Sequence, residues 1–439
     1  MEPTAQPLWK HRDFSTFWLA QTLSVLGDSF ALIALPLLVL EATGSIASMG
    51  LLTAAGGVAL VLSAVFAGTV VDRVDRRKLL IGCDLARMVL YGVIPVVWFV
   101  VGPQVWLLYV VLPVCEAVGM LFAVGYVTVV RGLVGTTRLT EANGKLNATA
   151  AAAGVLGPLG AGAVAAWTGP AAAVGVDAAS FGVSAACLVA VRVRSPLGPS
   201  SERPGVWREL RAGVGFLYGH PVLRSLTALL FLFSFFTLGL VDLVIYHLKH
   251  DLGRDDGTVG AVMAVGALGT VTGSLLVARL RRRLGFGPVW TASVAVSGVA
   301  VAGLGRADAV AQVALLVALF LASVAVGGTC SMSLRQEVTP EHLLGRVTSA
   351  FWTLQYSAAP IGAAVLTWAA ERHGTTPVAA TAGACCALIA GAALFTPIRH
   401  AGRGHAMSQL AAQTAPLPES PQQQSAPPPP ETPSGTPPR

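Results

Sequence analysis

Charged residues are scarce in this chain. Asp, Glu, Lys and Arg together make up 12% of the 439 residues, whereas hydrophobic residues make up 54%. A soluble globular protein carries about 25% charged residues, so this chain has too little charge to cover a surface that faces water. The hydrophobic residues also fall in runs of roughly 20, a length that suits the hydrocarbon core of a bilayer. The composition therefore predicts an all-α membrane protein and excludes a soluble one.

Motifs for chemical catalysis are missing from the sequence. It has no phosphate-binding loop of the Walker type, so ATP is not expected as an energy source. All six cysteines lie inside hydrophobic runs without a histidine at metal-site spacing, so free buried thiols are expected. No Ser–His–Asp or zinc-type cluster is present in the sequence. We therefore expect neither an enzyme nor a bound cofactor or metal.

Hydrophobic segments, about twelve in number, divide the chain into regions. Residues 1–13 form a polar lead, and the first six segments lie within residues 14–192. Residues 193–222 form a basic connection, predicted to contain an amphipathic helix on the membrane surface, although its first part is equally typical of a linker. Six further segments lie within residues 223–398. Residues 399–439 are rich in Pro, Gln and Ser, so this tail is expected to be disordered.

Lys and Arg are concentrated in alternate connections between the segments. The connections poor in basic residues contain Lys249, Arg254, Arg306 and Arg372. Cytoplasmic loops carry the excess of Lys and Arg, so both termini are expected in the cytoplasm and the chain in the inner (plasma) membrane. The net charge of +7 follows from these loops and does not predict a nucleic-acid partner. The expected surroundings are the lipid bilayer, and a monomer is expected.

The two sets of six segments echo each other at an offset of roughly 200 residues. Gly68, at the end of the second segment, corresponds to Gly273, at the end of the eighth, and basic residues follow both. Pro158 in the fifth segment corresponds to Pro360 in the eleventh. Duplicated six-helix bundles are typical of carriers whose substrate binds between the halves and reaches each side in turn. The repeat therefore predicts transport by alternating access.

The segment GTVVDRVDRRK resembles the loop signature of the major facilitator superfamily, G-x-x-x-D-R-x-G-R-R. The matching residues are Gly68, Asp72, Arg73, Arg76 and Arg77, and Asp75 stands where Gly is usual. The segments SVLGDSFALIALPLLVLEATGS and VTPEHLLGRVTSAFWT are similar to the drug–proton antiporter branch that holds macrolide-efflux and enterobactin-exporter proteins. The resemblance implies two pseudo-symmetric bundles of six transmembrane helices.

The loop signature suggests a conformational gate. Asp72 lies at the predicted cytoplasmic end of the second segment, where a carboxylate can interact with the N-terminus of a neighbouring helix. The resemblance implies that this neighbour is the eleventh segment, which begins near Arg346. Breaking such a latch would open the cytoplasmic side. The alternative is that the basic cluster only sets the topology.

The fifth segment carries AGVLGPLGAG, which is similar to the antiporter signature of the superfamily, g-x-x-x-G-P-x-x-G-G. Gly157, Pro158 and Gly162 match it, and Ala153 and Ala161 replace glycines. Small residues let helices approach closely, and proline removes a backbone hydrogen bond and bends a helix. A bent, closely packed helix can act as a pivot for alternating access. The alternative is ordinary packing of small residues.

Acidic residues within the segments are candidates for binding protons or cargo, because a charge inside a bilayer is costly. Asp28 lies near the middle of the first segment and has no Lys or Arg at helical spacing, so it is a candidate proton carrier or cargo contact, with packing as the alternative. Glu116 lies at similar depth in the fourth segment, which lacks the Arg motif of many drug antiporters. It could replace that function or bind cationic cargo.

Other acids in the segments have weaker signals. Asp84 and Arg87 lie three residues apart on the third segment, which predicts a structural ion pair. Asp177 and Asp242 are placed closer to the outer ends of the sixth and seventh segments. Asp177 resembles a recurring residue of the antiporter branch, whereas Asp242 is expected to be accessible to water.

The sequence and the resemblance together predict a secondary active transporter that exports a drug-like, siderophore-like or natural-product small molecule in exchange for protons. One alternative is a proton-coupled importer of a nutrient or siderophore. Another is a membrane sensor or scaffold that does not transport. The Gly–Pro motif favours export over import, and the loop signature favours a transporter over a scaffold.

Overall fold

The computed structural model describes residue 8 and residues 12–134, 138–191 and 206–400. For some residues within the helices, among them Gly68 and Asp72, only the backbone is described. The predicted disordered tail lies outside the described residues from residue 401 onward, as does the first part of the basic connection.

Every regular element in the described ranges is helical. The α-helices are α1 (Arg12–Thr43), α2 (Ile46–Arg73), α3 (Arg76–Val100), α4 (Val105–Val134), α5 (Leu139–Thr168), α6 (Pro170–Ala190), α7 (Val206–Gly219), α8 (Pro221–Thr237), α9 (Leu240–Tyr246), α10 (Asp256–Leu284), α11 (Phe286–Leu304), α12 (Val310–Val338), α13 (Glu341–His373) and α14 (Thr375–Leu394). A π-helical turn, His247–Asp251, extends α9, and a 3-10 turn, Pro397–His400, follows α14.

Within the described ranges, eleven helical segments are long and apolar enough to cross a membrane. One of them is the composite of α8, α9 and the π-helical turn, which corresponds to the seventh predicted segment. The eleventh predicted segment is α13, which is long enough at 33 residues but less apolar, with Gln355 and Tyr356 near its middle. Together with α13 these segments confirm the prediction of about twelve transmembrane helices. The chain is therefore a multi-pass membrane protein.

The duplication is visible in the backbone where α5 and α13 end. Gly169 follows α5 with φ 86°, and Gly374 follows α13 with φ 85°, at the predicted offset of roughly 200 residues. Glycine adopts a positive φ without steric cost because it has no Cβ, so both helices stop and the chain turns. Pro170 then begins α6, where the missing N–H leaves no hydrogen bond broken.

Two bundles form from the twelve segments. In the first bundle α1 packs on α5 and α6, and α3 packs on α6 and α4. In the second bundle α10 packs on α12, and α11 packs on α12 and α14. The bundles meet where α2 packs on α13 and where α5 packs on α10. The duplication relates these two contacts, because α2 corresponds to α10 and α5 to α13.

Glycine on both helices permits the contact between α5 and α10. A Cβ added at Gly162 of α5 would lie 2.8 Å from the Cα of Gly260 and 2.8 Å from the carbonyl oxygen of Asp256. These distances are shorter than van der Waals contact, so the two backbones touch. Gly157 faces α1 instead, where an added Cβ would collide with Ser29. The predicted antiporter-like motif, which includes Pro158, therefore lies on a helix packed between α1 and the second bundle.

The short helix α7 lies in the basic connection between the bundles. It packs against α8 and α13. An added Cβ at Gly213 of α7 would collide with the carbonyl oxygen of Arg346, so α7 lies directly on the first turns of α13.

We expect Gly162→Ala to destabilise the contact between the bundles. Overpacking of a filled site costs about 1–3 kcal/mol, so the melting temperature of the purified protein in detergent should fall. Gly154→Ala is the matched control, because Gly154 lies on the same helix with open space around its Cα. The control should leave the melting temperature unchanged or raise it. Equal melting temperatures for the two variants would contradict a tight contact at Gly162.

Candidate functional site

Four carboxyl groups surround one arginine in the first bundle. Arg87 of α3 forms an ion pair with Asp28 of α1, with 2.5 Å between Nη2 of Arg87 and Oδ1 of Asp28. Asp84 of α3, Glu116 of α4 and Asp177 of α6 lie close enough to interact electrostatically with the same guanidinium. We call these five residues the acid cluster. It draws on four different helices, so only the folded bundle assembles it.

The pairing within the acid cluster differs from the prediction. Asp28 was expected to lack a basic partner and Arg87 to pair with Asp84, yet Arg87 pairs with Asp28. The side chain of Asp84 is fully buried at 0% exposure and packs near Ser184 of α6. The longer arginine side chain reaches across to α1 instead. Helical spacing shows only that Asp84 and Arg87 share a face of α3. The ion-pair partner of Arg87 comes from α1.

Asp177 belongs to the acid cluster rather than to the outer end of its helix. It is fully buried at 0% exposure. A Cβ added at Gly27 of α1 would lie 2.6 Å from Oδ1 of Asp177 and would also collide with Ser180. Because residue 27 has no side chain, α1 can approach α6 closely at this point. Asp28, the next residue, then lies on the same side of the bundle as Arg87.

An aromatic ring fixes the position of the central arginine. The guanidinium carbon of Arg87 lies 3.9 Å from the ring centre of Phe181 on α6. A guanidinium over an aromatic face gains a cation–π interaction and still leaves its N–H groups free to donate to carboxylates. Phe181 also stacks on Tyr91, with 6.0 Å between ring centres. The arginine is thus held in place by packing as well as by charge.

Two cavities, of about 430 and 420 Å³, reach the acid cluster. Both are lined by Asp28, Arg87 and Glu116, so they adjoin at these residues. The side chain of Asp28 is 43% exposed to this space, whereas that of Arg87 is 12% exposed. A small molecule or a chain of water molecules can therefore reach the ion pair directly. Asp84 and Asp177 lie behind it, in the packed interior.

Asp242 lies outside the acid cluster, at the interface between the bundles. It is 2% exposed, so the prediction that water reaches it easily is wrong. The hydroxyl of Thr53 on α2 donates a hydrogen bond to its carboxylate at 2.9 Å. Asp242 lies on α9, and α9 packs against α2, which removes the side chain from solvent. The residue therefore joins the two bundles.

Further polar contacts join the bundles at one end of the molecule. Glu371 of α13 accepts hydrogen bonds at 2.8 Å from the hydroxyl of Ser45 and from the backbone N–H of Ala47, where α2 begins. Lys249 lies 3.8 Å from Glu41 at the end of α1. These contacts lie where α1 ends, α2 begins and α13 ends, at one end of the interface between the bundles. We call it the closed end.

The loop signature lies at the opposite end of the first bundle. Nε of Arg77 donates a hydrogen bond at 3.1 Å to the carbonyl of Leu188, and Nη2 donates to that of Val189, so Arg77 binds the last turn of α6. Asp75, which replaces the usual Gly, caps α3 by accepting from the backbone N–H of Lys78 at 2.9 Å. Arg73 is exposed and ends α2. The side chain of Asp72 lies outside the described part of the structure, so the latch stays a prediction.

Sequence reasoning missed one further polar group, in the second bundle. Arg335 of α12 is 2% exposed and lines a separate cavity together with Gln355 of α13. Arg335 lies three residues before the end of α12, where an arginine is normally a flanking charge that reaches the membrane surface. Nothing in its local sequence indicates that it points inward.

Known proteins share the sequence pattern and the fold. The model of the Major Facilitator Superfamily matches residues 17–363. The multidrug efflux pump Tap of Mycobacterium tuberculosis is 26% identical over 400 residues, covering 84% of this chain and 91% of the pump. The pump of the same name in Mycolicibacterium fortuitum is 25% identical over 372 residues, covering 80% and 88%. An uncharacterized MFS-type transporter of Sinorhizobium fredii, y4rN, is 29% identical over 272 residues, covering 59% and 66%.

Solved structures confirm the fold. A mutant of the nucleoside transporter NupG superposes with a TM-score of 0.73 at 12% identity, covering 87% of this chain and 98% of NupG. A D-xylose–proton symporter superposes with a TM-score of 0.67 at 15% identity, covering 88% and 97%. A bacterial homologue of the iron transporter ferroportin, in an inward-facing state, gives 0.65 at 19% identity, covering 87% and 98%.

The relatives and the fold are those of transporters and not of enzymes. The match to the family model covers most of the chain, and the twelve-segment architecture agrees with it. This chain therefore belongs to the major facilitator superfamily.

Proposed function

We propose that this protein exports a drug-like, siderophore-like or natural-product small molecule from the cytoplasm in exchange for protons. The observation that carries the proposal is the acid cluster, in which Arg87 pairs with Asp28 beside a cavity and interacts electrostatically with three further carboxyl groups. Charges inside a bilayer are costly unless they are paired or solvated. A cluster with more acids than bases lowers that cost by binding protons, and it can release them when its access to water changes.

Access to the cluster is proposed to alternate between the two sides of the membrane. The bundles touch at the closed end through Glu371 and Lys249, and Asp242 joins them at Thr53. The loop signature lies at the other end, where the sequence has most of its Lys and Arg. By the positive-inside rule that end is cytoplasmic, so the cavities around Asp28 face the cytoplasm in this conformation. Closing the cytoplasmic end and breaking the contacts at the closed end would expose the same site to the outside.

The direction of transport is inferred from the relatives. Two that cover at least 80% of this chain carry the name multidrug efflux pump. The helix-bend motif of Gly157, Pro158 and Gly162 lies where α5 packs between α1 and α10, which is a suitable position for a pivot between the bundles. Both points favour export over import.

We expect the double variant Asp28→Asn/Glu116→Gln to lose proton-driven transport. In inside-out vesicles with an acidic interior, the parent should accumulate at least one member of a panel of macrolides, cationic dyes and catecholate siderophores. The variant should accumulate it about tenfold less, because neutral amides cannot carry protons. Exchange of labelled for unlabelled compound without a gradient should persist, since it needs no net proton movement.

The matched control for this experiment is Asp308→Asn, because Asp308 is an exposed acid in the connection between α11 and α12. The control should accumulate the compound as the parent does. Full gradient-driven accumulation by the double variant would contradict proton coupling through these two carboxyls. Accumulation by the parent only in right-side-out vesicles would show import instead.

The latch at the loop signature leads to a separate prediction. Asp72→Asn should abolish transport while the protein still inserts into the membrane, because an uncharged amide interacts more weakly with the positive end of a neighbouring helix. Asp75→Asn is the matched control three residues away, since asparagine caps a helix as well as aspartate does. Transport by the Asp72→Asn vesicles at the parent's rate would remove the latch from the mechanism.

A further inference from the structure

A third cavity, of about 320 Å³, lies inside the second bundle. Helices α8 to α13 form its walls, and it shares no lining residue with the two cavities at the acid cluster. Its surface is mainly apolar, with Phe233, Met263 and Val317 among the lining side chains. We call it the second-bundle cavity. Its size and composition are those of a small-molecule site.

One charged side chain lines the second-bundle cavity. Arg335 is 2% exposed, and its guanidinium carbon lies 3.4 Å from the ring centre of Phe351. Its Nη2 is 3.3 Å from the sulfur of Met332, but Nε and Nη1 have no hydrogen-bond partner among the described residues. The acid of α12, Glu337, pairs with Arg281 at 2.7 Å. Unlike Arg87, this arginine has no ion pair with a described carboxylate.

Other residues that line the same cavity also carry buried polar atoms without partners within the described part of the chain. These atoms are Nε1 of Trp290, the hydroxyls of Ser297 and Ser331, and Oε1 of Gln355. Gln355 is oriented, because its amide nitrogen donates to the carbonyl of Leu230 at 2.9 Å. Buried polar groups are normally paired, so such a set around one cavity indicates a ligand. Most of these atoms are donors, and the site carries a positive charge.

A buried guanidinium without a carboxylate is expensive, because its desolvation is not compensated. An oxyanion compensates it well, since guanidinium N–H groups donate to carboxylate, sulfonate or phosphate oxygens in a planar, charge-assisted arrangement. The apolar walls and the rings of Phe351, Trp352 and Tyr356 favour an apolar or aromatic body attached to that anion.

We propose that the second-bundle cavity binds an amphiphilic organic anion, with its oxyanion on Arg335 and its apolar body among the aromatic side chains. The bound anion is cargo, so the inference rests on the proposed transport function and names a substrate class for it. Ser331 and Gln355 are available to orient polar groups on the body of the ligand. Cargo and protons then bind in different bundles, cargo beside a cation and protons beside acids.

The test is an equilibrium binding measurement that needs no transport. Purified parent protein in phosphatidylcholine nanodiscs is titrated with 2-naphthoate and, separately, with its uncharged isostere 2-naphthamide, using calorimetry with protein-free discs as the blank. The parent should bind naphthoate about tenfold more tightly than naphthamide. Arg335→Gln should remove this preference. Arg335→Lys, which keeps the charge but loses the planar stack on Phe351, should retain a reduced preference.

Several outcomes would overturn the proposal. Equal affinities of the parent for the two probes would do so, as would an unchanged preference in folded Arg335→Gln protein. If the Arg335→Gln protein does not fold, the Arg335→Lys variant provides the test. Equal binding of naphthoate and naphthamide by that variant would contradict the proposal. A lipid headgroup is the other source of an oxyanion. In phosphatidylglycerol nanodiscs naphthoate should bind the parent as in phosphatidylcholine, and its displacement there would assign the cavity to lipid. None of these results depends on whether protons drive transport.

Discussion

The ion pair between Arg87 and Asp28 is the interaction on which the interior of the first bundle depends. Asp84, Glu116 and Asp177 lie close to the same guanidinium, so a single cation serves four acids contributed by α1, α3, α4 and α6. Removing that cation would leave several buried carboxyls without compensation, whereas removing one acid leaves the others to pair. Phe181, stacked beneath the guanidinium at 3.9 Å, holds the arginine in position in the centre of the cluster.

Small residues link this cluster to the interface between the bundles. Gly27 lets α1 approach α6 at Asp177. Gly157 lets α5 approach α1. Gly162 then brings α5 into backbone contact with Gly260 of the second bundle. A chain of close contacts therefore runs from the acid cluster through α1 and α5 to the second bundle. Such a chain can transmit a change in the charge of the cluster to the relative position of the bundles, because packed interfaces without free space shift as units.

The two bundles have the same architecture, but the buried charged residues in their interiors differ. The first holds an excess of acids around Arg87, whereas the second holds Arg335 without a described acidic partner. Duplication gives both bundles the same helix ends, as at Gly169 and Gly374. Divergence of single buried residues then gives each bundle its own chemistry.

Much of the architecture is encoded in local signals that a single sequence contains. Hydrophobic runs predict the spans, the Pro158 and Pro360 segments predict the duplication, and the loop signature implies the family. Asp28 and Glu116 are also identifiable as site candidates from the sequence, because an acid in a hydrophobic run is unusual at any position. These signals require no knowledge of which helices pack together.

Partners between helices could not be predicted in this way. The pairing of Asp28 with Arg87 depends on α1 and α3 both packing on α6, whereas helical spacing within α3 favours Asp84 instead. The burial of Asp242 depends on Thr53 of a different bundle. Arg335 lies near a helix end, where the sequence cannot distinguish a surface charge from one that turns inward.

The central claim is that Arg87 compensates the carboxyls around it, and thermal unfolding in detergent tests this most directly. Arg87→Gln should lower the melting temperature strongly, since breaking a buried pair by removing one partner costs about 3–5 kcal/mol. Adding Asp28→Asn to Arg87→Gln should restore part of the loss, because one uncompensated carboxylate is then removed. An unchanged melting temperature for Arg87→Gln, or a further drop on adding Asp28→Asn, would contradict the account.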